Sequence, residues 1–214
     1  MILPSPSAHR IDPLSGDMTG GARSYEKRLG DLREVYLDCA AFDRALVETG
    51  NPVVYRVRDV RPARTQGDLI FGTTQMAPGR IGNEFYMTRG HIHAIANRPE
   101  VYYGEYGQGV MLLESPEGEP RVLPISARTI VYVPPLWVHR SVNVGSTPLI
   151  MSFFYPSDSG QDYAVIGRSG GMAVRIVADG GSWKSVPNPT YRPRSADEIA
   201  EIYATCDGIS ETGK

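Results

Sequence analysis

The chain has 214 residues, 41% of them hydrophobic and 21% charged, with a formal net charge of -2. That is enough length and apolar content for one domain with a sizeable core. No clustered basic face, acidic tail or run of about twenty apolar residues is present, which argues against a nucleic-acid partner and a membrane-spanning helix.

Residues 1–23 are rich in Pro, Ser and Gly and read as an extended arm. The arm breaks early at Pro4 and Pro6, unlike a secretory leader, so a cytoplasmic protein is expected. His9 lies in this arm, where nothing fixes its position, and it is given no catalytic role. Residues 24–50 predict a helical extension: Ala40 to Thr49 uses good helix formers, Gly50 is a C-terminal stop and Pro52 follows.

From Val53 the texture changes to short β-branched and aromatic runs punctuated by Gly, Pro, Asn and Asp. Strands are predicted at Val53–Val57, Leu69–Gln75, Glu84–Thr88, Val101–Gly104 and Val110–Glu114. Ser115–Pro120 forms a turn that returns as Arg121–Ile125, followed by strands at Thr129–Val133, Leu149–Tyr155 and Val174–Val177. Many short strands without alternating helices predict an all-β barrel or sandwich, of which the jelly roll is one form. Near the end, Ser195 and Glu198 form a Ser-x-x-Glu capping box, and Ile199, Ile202 and Tyr203 make an apolar stripe able to dock on the barrel. The expected division is an arm (1–23), a barrel domain with its extension (24–190) and a C-terminal helix and tail (191–214).

Cys39 and Cys206 are too far apart to suggest a disulfide framework or a CxxC knot, and read as reduced thiols. There is no G-x-x-x-x-G-K-[ST] loop and no G-x-S-x-G elbow. Gly104, Gly107 and Gly109 fall between strands rather than opening a helix, which argues against a dinucleotide site.

The chemistry concentrates in three of the four histidines. His91 and His93 flank Ile92, and in extended backbone residues two apart share a face, so both imidazoles point the same way. Glu100 follows a short turn ending at Pro99, which brings the next strand back against the pair. His139 lies beyond Pro134 and Pro135. A His-x-His pair alone is more often a hydrogen-bonded surface pair than a ligand pair. The added carboxylate and third imidazole make a mixed N/O set suited to Fe(II), Mn(II), Ni(II) or Zn(II).

The spacing His91-x-His93-x6-Glu100-x6-Gly107 resembles the first cupin motif, and Pro134 through His139 to Asn143 resembles the second. Three departures stand out: six residues before the acidic ligand where three or four are usual, Arg128 where the second motif opens with Gly, and Leu136 where Gly is common. The segments GNEFYMTRGHIH (82–93), EVYYGEYGQGVMLLESPEGE (100–119), TIVYVPPLWVHRSVNVG (129–145) and FFYPSDSGQDY (153–163) resemble the cupin-type phosphoglucose isomerases. The likeness runs from about residue 24 to about residue 190.

The resemblance implies a cupin jelly-roll β-barrel, a homodimer, and interconversion of glucose 6-phosphate and fructose 6-phosphate. It implies one divalent metal ion per subunit, Fe2+ first, on His91, His93, Glu100 and His139. It places Thr74, Thr88, Gly90 and Tyr102 around the substrate phosphate and makes Glu100 and Tyr155 the catalytic pair. Threonine and tyrosine hydroxyls and the Gly90 amide are donors that suit a phosphate. Arg89 stays open between phosphate contact and structural ion pair. Gln161 stands where the family usually has histidine, so a proton-transfer role there is lost while a hydrogen-bonding role survives. Trp137 reads as core. Competing expectations are another cupin metalloenzyme, such as a phosphosugar epimerase or Fe(II) dioxygenase, and a non-catalytic sugar-binding cupin.

Overall fold

A computed structural model describes residues 5–62 and 67–207. Pro4 and the end of the expected tail, 208–214, lie outside the described residues. The expected helix over 24–50 is replaced by three different elements. Arg23–Arg28 is a strand, β1. It pairs antiparallel with β2 (Val53–Val60), setting Glu26 opposite Arg56, and the two form an ion pair. Backbone pairing to a neighbour far along the chain here overrides local helix propensity. A 3-10 turn over Leu29–Val35 then buries Leu29, Leu32 and Val35. Only α1 (Cys39–Thr49) is α-helix: Asp38 caps it by accepting the Ala41 N–H at 2.8 Å, and Gly50 ends it in the left-handed region.

Most of the expected strands are present, but the one expected over Glu84–Thr88 stops at Phe85, and Arg80–Ile81, Val138–Asn143, Ser182–Pro187 and the short helix Ala164–Arg168 were not expected. The remaining elements are β3 (Leu69–Met76), β4 (Arg80–Ile81), β5 (Glu84–Phe85), β6 (Glu100–Tyr106), β7 (Gln108–Glu114) and β8 (Pro120–Ser126). After them come β9 (Ile130–Val133), β10 (Val138–Asn143), β11 (Leu149–Pro156), α2 (Ala164–Arg168), β12 (Val174–Asp179), β13 (Ser182–Pro187) and α3 (Ala196–Ala204). Three sheets result: β1-β2-β3-β11-β6-β9, β10-β7-β8 and β13-β12-β5-β4. All pairings are antiparallel. The fold is the mostly β architecture that the sequence led us to expect, with helices near both ends.

The interior between the first two sheets is filled by alternate residues. Met151, Phe153 and Tyr155 come from β11, Tyr102 from β6, and Met111 and Leu113 from β7, beside Ser141 and His139 of β10. Strand β10 is buried at every position. It escaped the sequence reading because His139, Arg140, Ser141 and Asn143 break the apolar run. Asn143 is held by two amide donations, to Met76 O at 3.1 Å and Thr147 O at 3.0 Å, and it accepts Gly145 N–H at 3.0 Å.

The arm is ordered where it is described. Thr73 Oγ1 donates to Gly16 O at 2.5 Å, Asp17 pairs with Arg58, and the His9 ring meets Phe71 edge-on at 5.2 Å. His9 therefore has a packing role on the outer face of the large sheet. Trp137 is half-buried against the core rather than fully inside it. In α3 both capping-box bonds form, at 3.2 and 2.7 Å, and Ile202 is the buried member of the stripe, while Tyr203 is exposed and donates to Glu117. No disulfide joins Cys39, which is exposed, and Cys206. No helix among the described residues is long and apolar enough to cross a membrane.

Arg128 (φ 67) and Leu136 (φ 76) both adopt the left-handed backbone conformation. These are the positions where glycine was the expected residue, so the backbone keeps the conformation that glycine would favour. At Gly107 (φ 81) glycine cannot be spared. A Cβ there would lie 2.2 Å from Pro148 O. Gly107→Ala should lower stability by about 2–4 kcal/mol, combining left-handed strain with overpacking, read as a lower denaturation midpoint at unchanged slope.

Candidate metal centre

After β5 the chain leaves regular strand geometry but stays beside β10. Asn143 N–H donates to Tyr86 O, Thr88 N–H to Ser141 O, and His91 and His139 exchange both backbone bonds at 3.0 and 2.9 Å. This ladder sets His91 directly opposite His139. The two-residue spacing then puts His93 on the same side as His91. Glu100, the first residue of β6, reaches the group from the facing sheet.

The four ligand atoms lie within 4.8 Å of one another. Glu100 Oε2 is 3.0 Å from His139 Nε2, 3.3 Å from His93 Nε2 and 3.9 Å from His91 Nε2. Ligands held about 2 Å from one ion stand roughly 3 Å from each other, so the spacing matches a shared cation. All four predicted ligands are brought together.

The proton inventory supports the same conclusion. His93 Nδ1 faces Arg98 O at 2.7 Å, and His139 Nδ1 faces Trp137 O at 3.1 Å. A carbonyl only accepts, so each Nδ1 carries a proton and each ring turns its other nitrogen, Nε2, toward Glu100 as the potential ligand atom. His93 Nε2 is buried without a hydrogen-bond partner. Three imidazole Nε2 atoms gathered around one carboxylate make a donor set that fits a divalent first-row metal. Arg98 is itself clamped by Asp158 at 3.0 and 2.7 Å, which fixes the carbonyl that orients His93.

Electrostatics favour ligation. Burial lowers the proton affinity of His91, and the neighbouring His139 and His93 lower it further against the opposing pull of Glu100. Burial alone would raise the Glu100 pKa, but its contacts with His139 and His93 hold it well below the usual carboxylate range. Tyr102 is pushed well up by burial and by the charge of Glu100, so its hydroxyl stays protonated.

The centre opens into a cleft. Of the residues placed by resemblance, Thr74, Thr88, Gly90, Tyr102 and Tyr155 all line it. Thr88 Oγ1 accepts Ser141 N–H at 3.0 Å, which leaves its own proton to donate. Gly90 has φ 75, and a Cβ there would strike Ile166 Cδ1 at 2.7 Å and Arg140 Cβ at 2.9 Å. Arg89 lies at the rim, with an ion pair to Glu34 at 3.1 Å and its guanidinium over the Tyr163 ring at 5.2 Å. Gln161 sits at the centre: Tyr163 Oη donates to its Oε1, so its amide nitrogen faces His91 Nε2 at 3.4 Å.

The sequence reading missed Tyr25, Tyr55, Asp59, Arg61, Arg140 and Ser141, which also line the cleft. Ser141 could have been found from β10 alternation, two residues after His139. Arg140 could not, because alternation turns it away from His139 and its approach depends on how the chain packs around β10.

Residues 26–194 match the glucose-6-phosphate isomerase (GPI) family. The chain is 53% identical over 199 residues to the glucose-6-phosphate isomerase of Sinorhizobium medicae, covering 92% of this chain and 93% of that one. It is 43% identical over 172 residues to the glucose-6-phosphate isomerase of Thermococcus kodakarensis, covering 80% and 89%. A recombinant oxalate oxidase in complex with glycolate overlays 53% of this chain and 57% of its own, at 17% identity and a TM-score of 0.44.

His139→Ala should abolish stoichiometric metal in the purified protein, measured by elemental analysis, while Gln161→Ala should leave the metal content unchanged. Removal of metal by a chelator should lower the melting temperature of the unmodified protein and not that of His139→Ala.

Proposed function

The chain belongs to the glucose-6-phosphate isomerase family, and from that membership we propose that it interconverts glucose 6-phosphate and fructose 6-phosphate at the His91, His93, Glu100 and His139 centre. The observation that carries the reading is the convergence of three imidazoles and one carboxylate at the wall of a cleft lined with hydroxyl donors. A divalent ion held there, Fe2+ first and Mn2+, Ni2+ or Zn2+ also compatible with the donors, supplies Lewis-acid polarisation of the sugar oxygens on C1 and C2.

The residues around it bind and orient the open-chain sugar. Thr74, Thr88 and the Gly90 backbone receive the phosphate, and Tyr102 donates beside Glu100. Isomerisation of the aldose moves one hydrogen from C2 to C1 and one proton from the C2 hydroxyl to the C1 oxygen. Glu100 is a weak base, because the imidazoles stabilise its charge. That supports transfer of the C2 hydrogen to C1 with its electron pair over abstraction as a proton. Burial raises the Tyr155 pKa and keeps its hydroxyl protonated, able to give its proton to one oxygen as it takes one from the other. Gln161 donates a hydrogen bond beside His91 and moves no proton.

The same reading assigns a cytoplasmic homodimer. On the outer face of the large sheet, Phe154, Val101 and Tyr132 stand side by side, as do Tyr103 and Ile130. Ile130 is 68% exposed and Tyr132 54% exposed, on an edge strand. A second copy covering this patch removes both the apolar surface and the open edge.

A coupled assay with fructose 6-phosphate should give glucose 6-phosphate that is lost on chelation and restored by Fe(II) or Mn(II). Product formed in D2O should carry little deuterium at C2. No product with any of the four metals rejects the isomerase reading, and heavy solvent labelling rejects the hydride route. Tyr132→Glu should convert a dimer to monomer in sedimentation velocity. An unmodified protein that is already monomeric defeats the dimer assignment.

A further inference from the structure

The cleft is lined by a buried cation that no carboxylate contacts directly, Glu84 and Glu114 acting on it only from beyond ion-pair distance. Arg140 is 6% exposed and lines the cleft. Its Nη1 donates to Met87 Sδ at 3.1 Å and its Nη2 to Arg89 O at 2.7 Å, both neutral acceptors. Its Nε is buried and makes no hydrogen bond. Other enclosed guanidiniums differ. Arg175 pairs with Glu84 at 2.6 Å, and Arg194 pairs with Glu114 at 2.7 Å. Among the described residues Arg140 forms no ion pair.

An unpaired charge inside a protein is costly, so its retention calls for a ligand that completes it. The place of Arg140 says which kind. A Cβ on Gly90 would approach Arg140 Nε to 3.0 Å, so the guanidinium lies against the Gly90 backbone. Thr88 Oγ1 is fixed one residue away on the ladder to Ser141. Thr74, Thr88 and Gly90 offer neutral donors only, and a dianion bound by them alone would bring two uncompensated charges into the cleft. Arg89 is committed at the rim to Glu34 and Tyr163.

We propose that Arg140 is the cationic half of the phosphate site and the residue that selects phosphorylated over neutral sugars. The identity of the sugar rests on the isomerase reading above; the anion site does not. A planar guanidinium suits a phosphate because it presents several donors in a fixed fork.

The test compares the metal-loaded protein with Arg140→Met and Arg140→Lys, after elemental analysis confirms equal metal content. Inorganic phosphate should raise the melting temperature of the unmodified protein and compete with fructose 6-phosphate. The methionine variant should lose that stabilisation, and its KM for fructose 6-phosphate should rise roughly 10- to 100-fold while kcat changes little. Lysine should recover part of both effects. Without phosphate, the methionine variant should be at least as stable as the parent, which a merely structural arginine would not allow. A methionine variant with unchanged KM and unchanged phosphate stabilisation overturns the proposal. So does a parent protein that phosphate neither stabilises nor inhibits, whether or not a variant folds. A parent that phosphate stabilises through Arg140, yet that has no isomerase activity with any metal, would reject the isomerase reading and leave the anion site standing.

Discussion

The site depends on the antiparallel pairing between the segment after β5 and strand β10, in which His91 and His139 exchange backbone hydrogen bonds. That one pairing fixes two ligands opposite each other, and the two-residue repeat of extended backbone adds His93. A register slip of one residue would turn His91 and His93 away from His139 together and leave Ile92 facing the carboxylate. Asn143 anchors the far end of the same ladder, and the Arg98–Asp158 clamp anchors the loop that carries His93. The polar residues of β10 thus hold the register on which the ligands rely.

Charge in the interior is organised around this frame. Glu84 and Glu114 neutralise Arg175 and Arg194 and tie the 3-10 turn and the C-terminal segment to the barrel: Arg175 also donates to Val35 O, and Arg194 to the carbonyls of Ser115 and Pro116. Those guanidiniums are structural. Arg140 is the exception, making no ion pair of its own; burial and the nearby Arg175 pull its pKa down to about 10 against the opposing pull of Glu84 and Glu114, so it remains cationic at neutral pH. On the metal side one carboxylate stands among three imidazoles. On the proposed reading the cleft has a cation-binding wall and an anion-binding wall, as a phosphorylated polyol requires.

The departures from the usual cupin pattern have physical readings. The longer loop before Glu100 supplies Arg98, whose carbonyl sets the His93 tautomer. Arg128 and Leu136 keep left-handed backbone without glycine. Gln161 keeps a hydrogen bond toward His91 while giving up a titratable ring. None of these changes reaches the four ligand positions.

The sequence by itself determined the β-rich class, most strand positions, the C-terminal capping box and the four residues that cluster as candidate ligands. These follow from two-residue periodicity, turn residues and spacing, which act over a few residues. It misjudged residues 24–28, where Tyr25 and its neighbours become a strand only because β2 lies alongside, and it overlooked β10, whose polar residues look unlike a buried strand until their partners are in place. Tertiary structure alone decided that Tyr25, Asp59 and Arg140 reach the cleft. Contacts between residues far apart in the chain are set by how sheets pack, and Arg140 is the clearest case: local alternation points it away from His139, while packing brings it against Gly90 without an ion pair of its own.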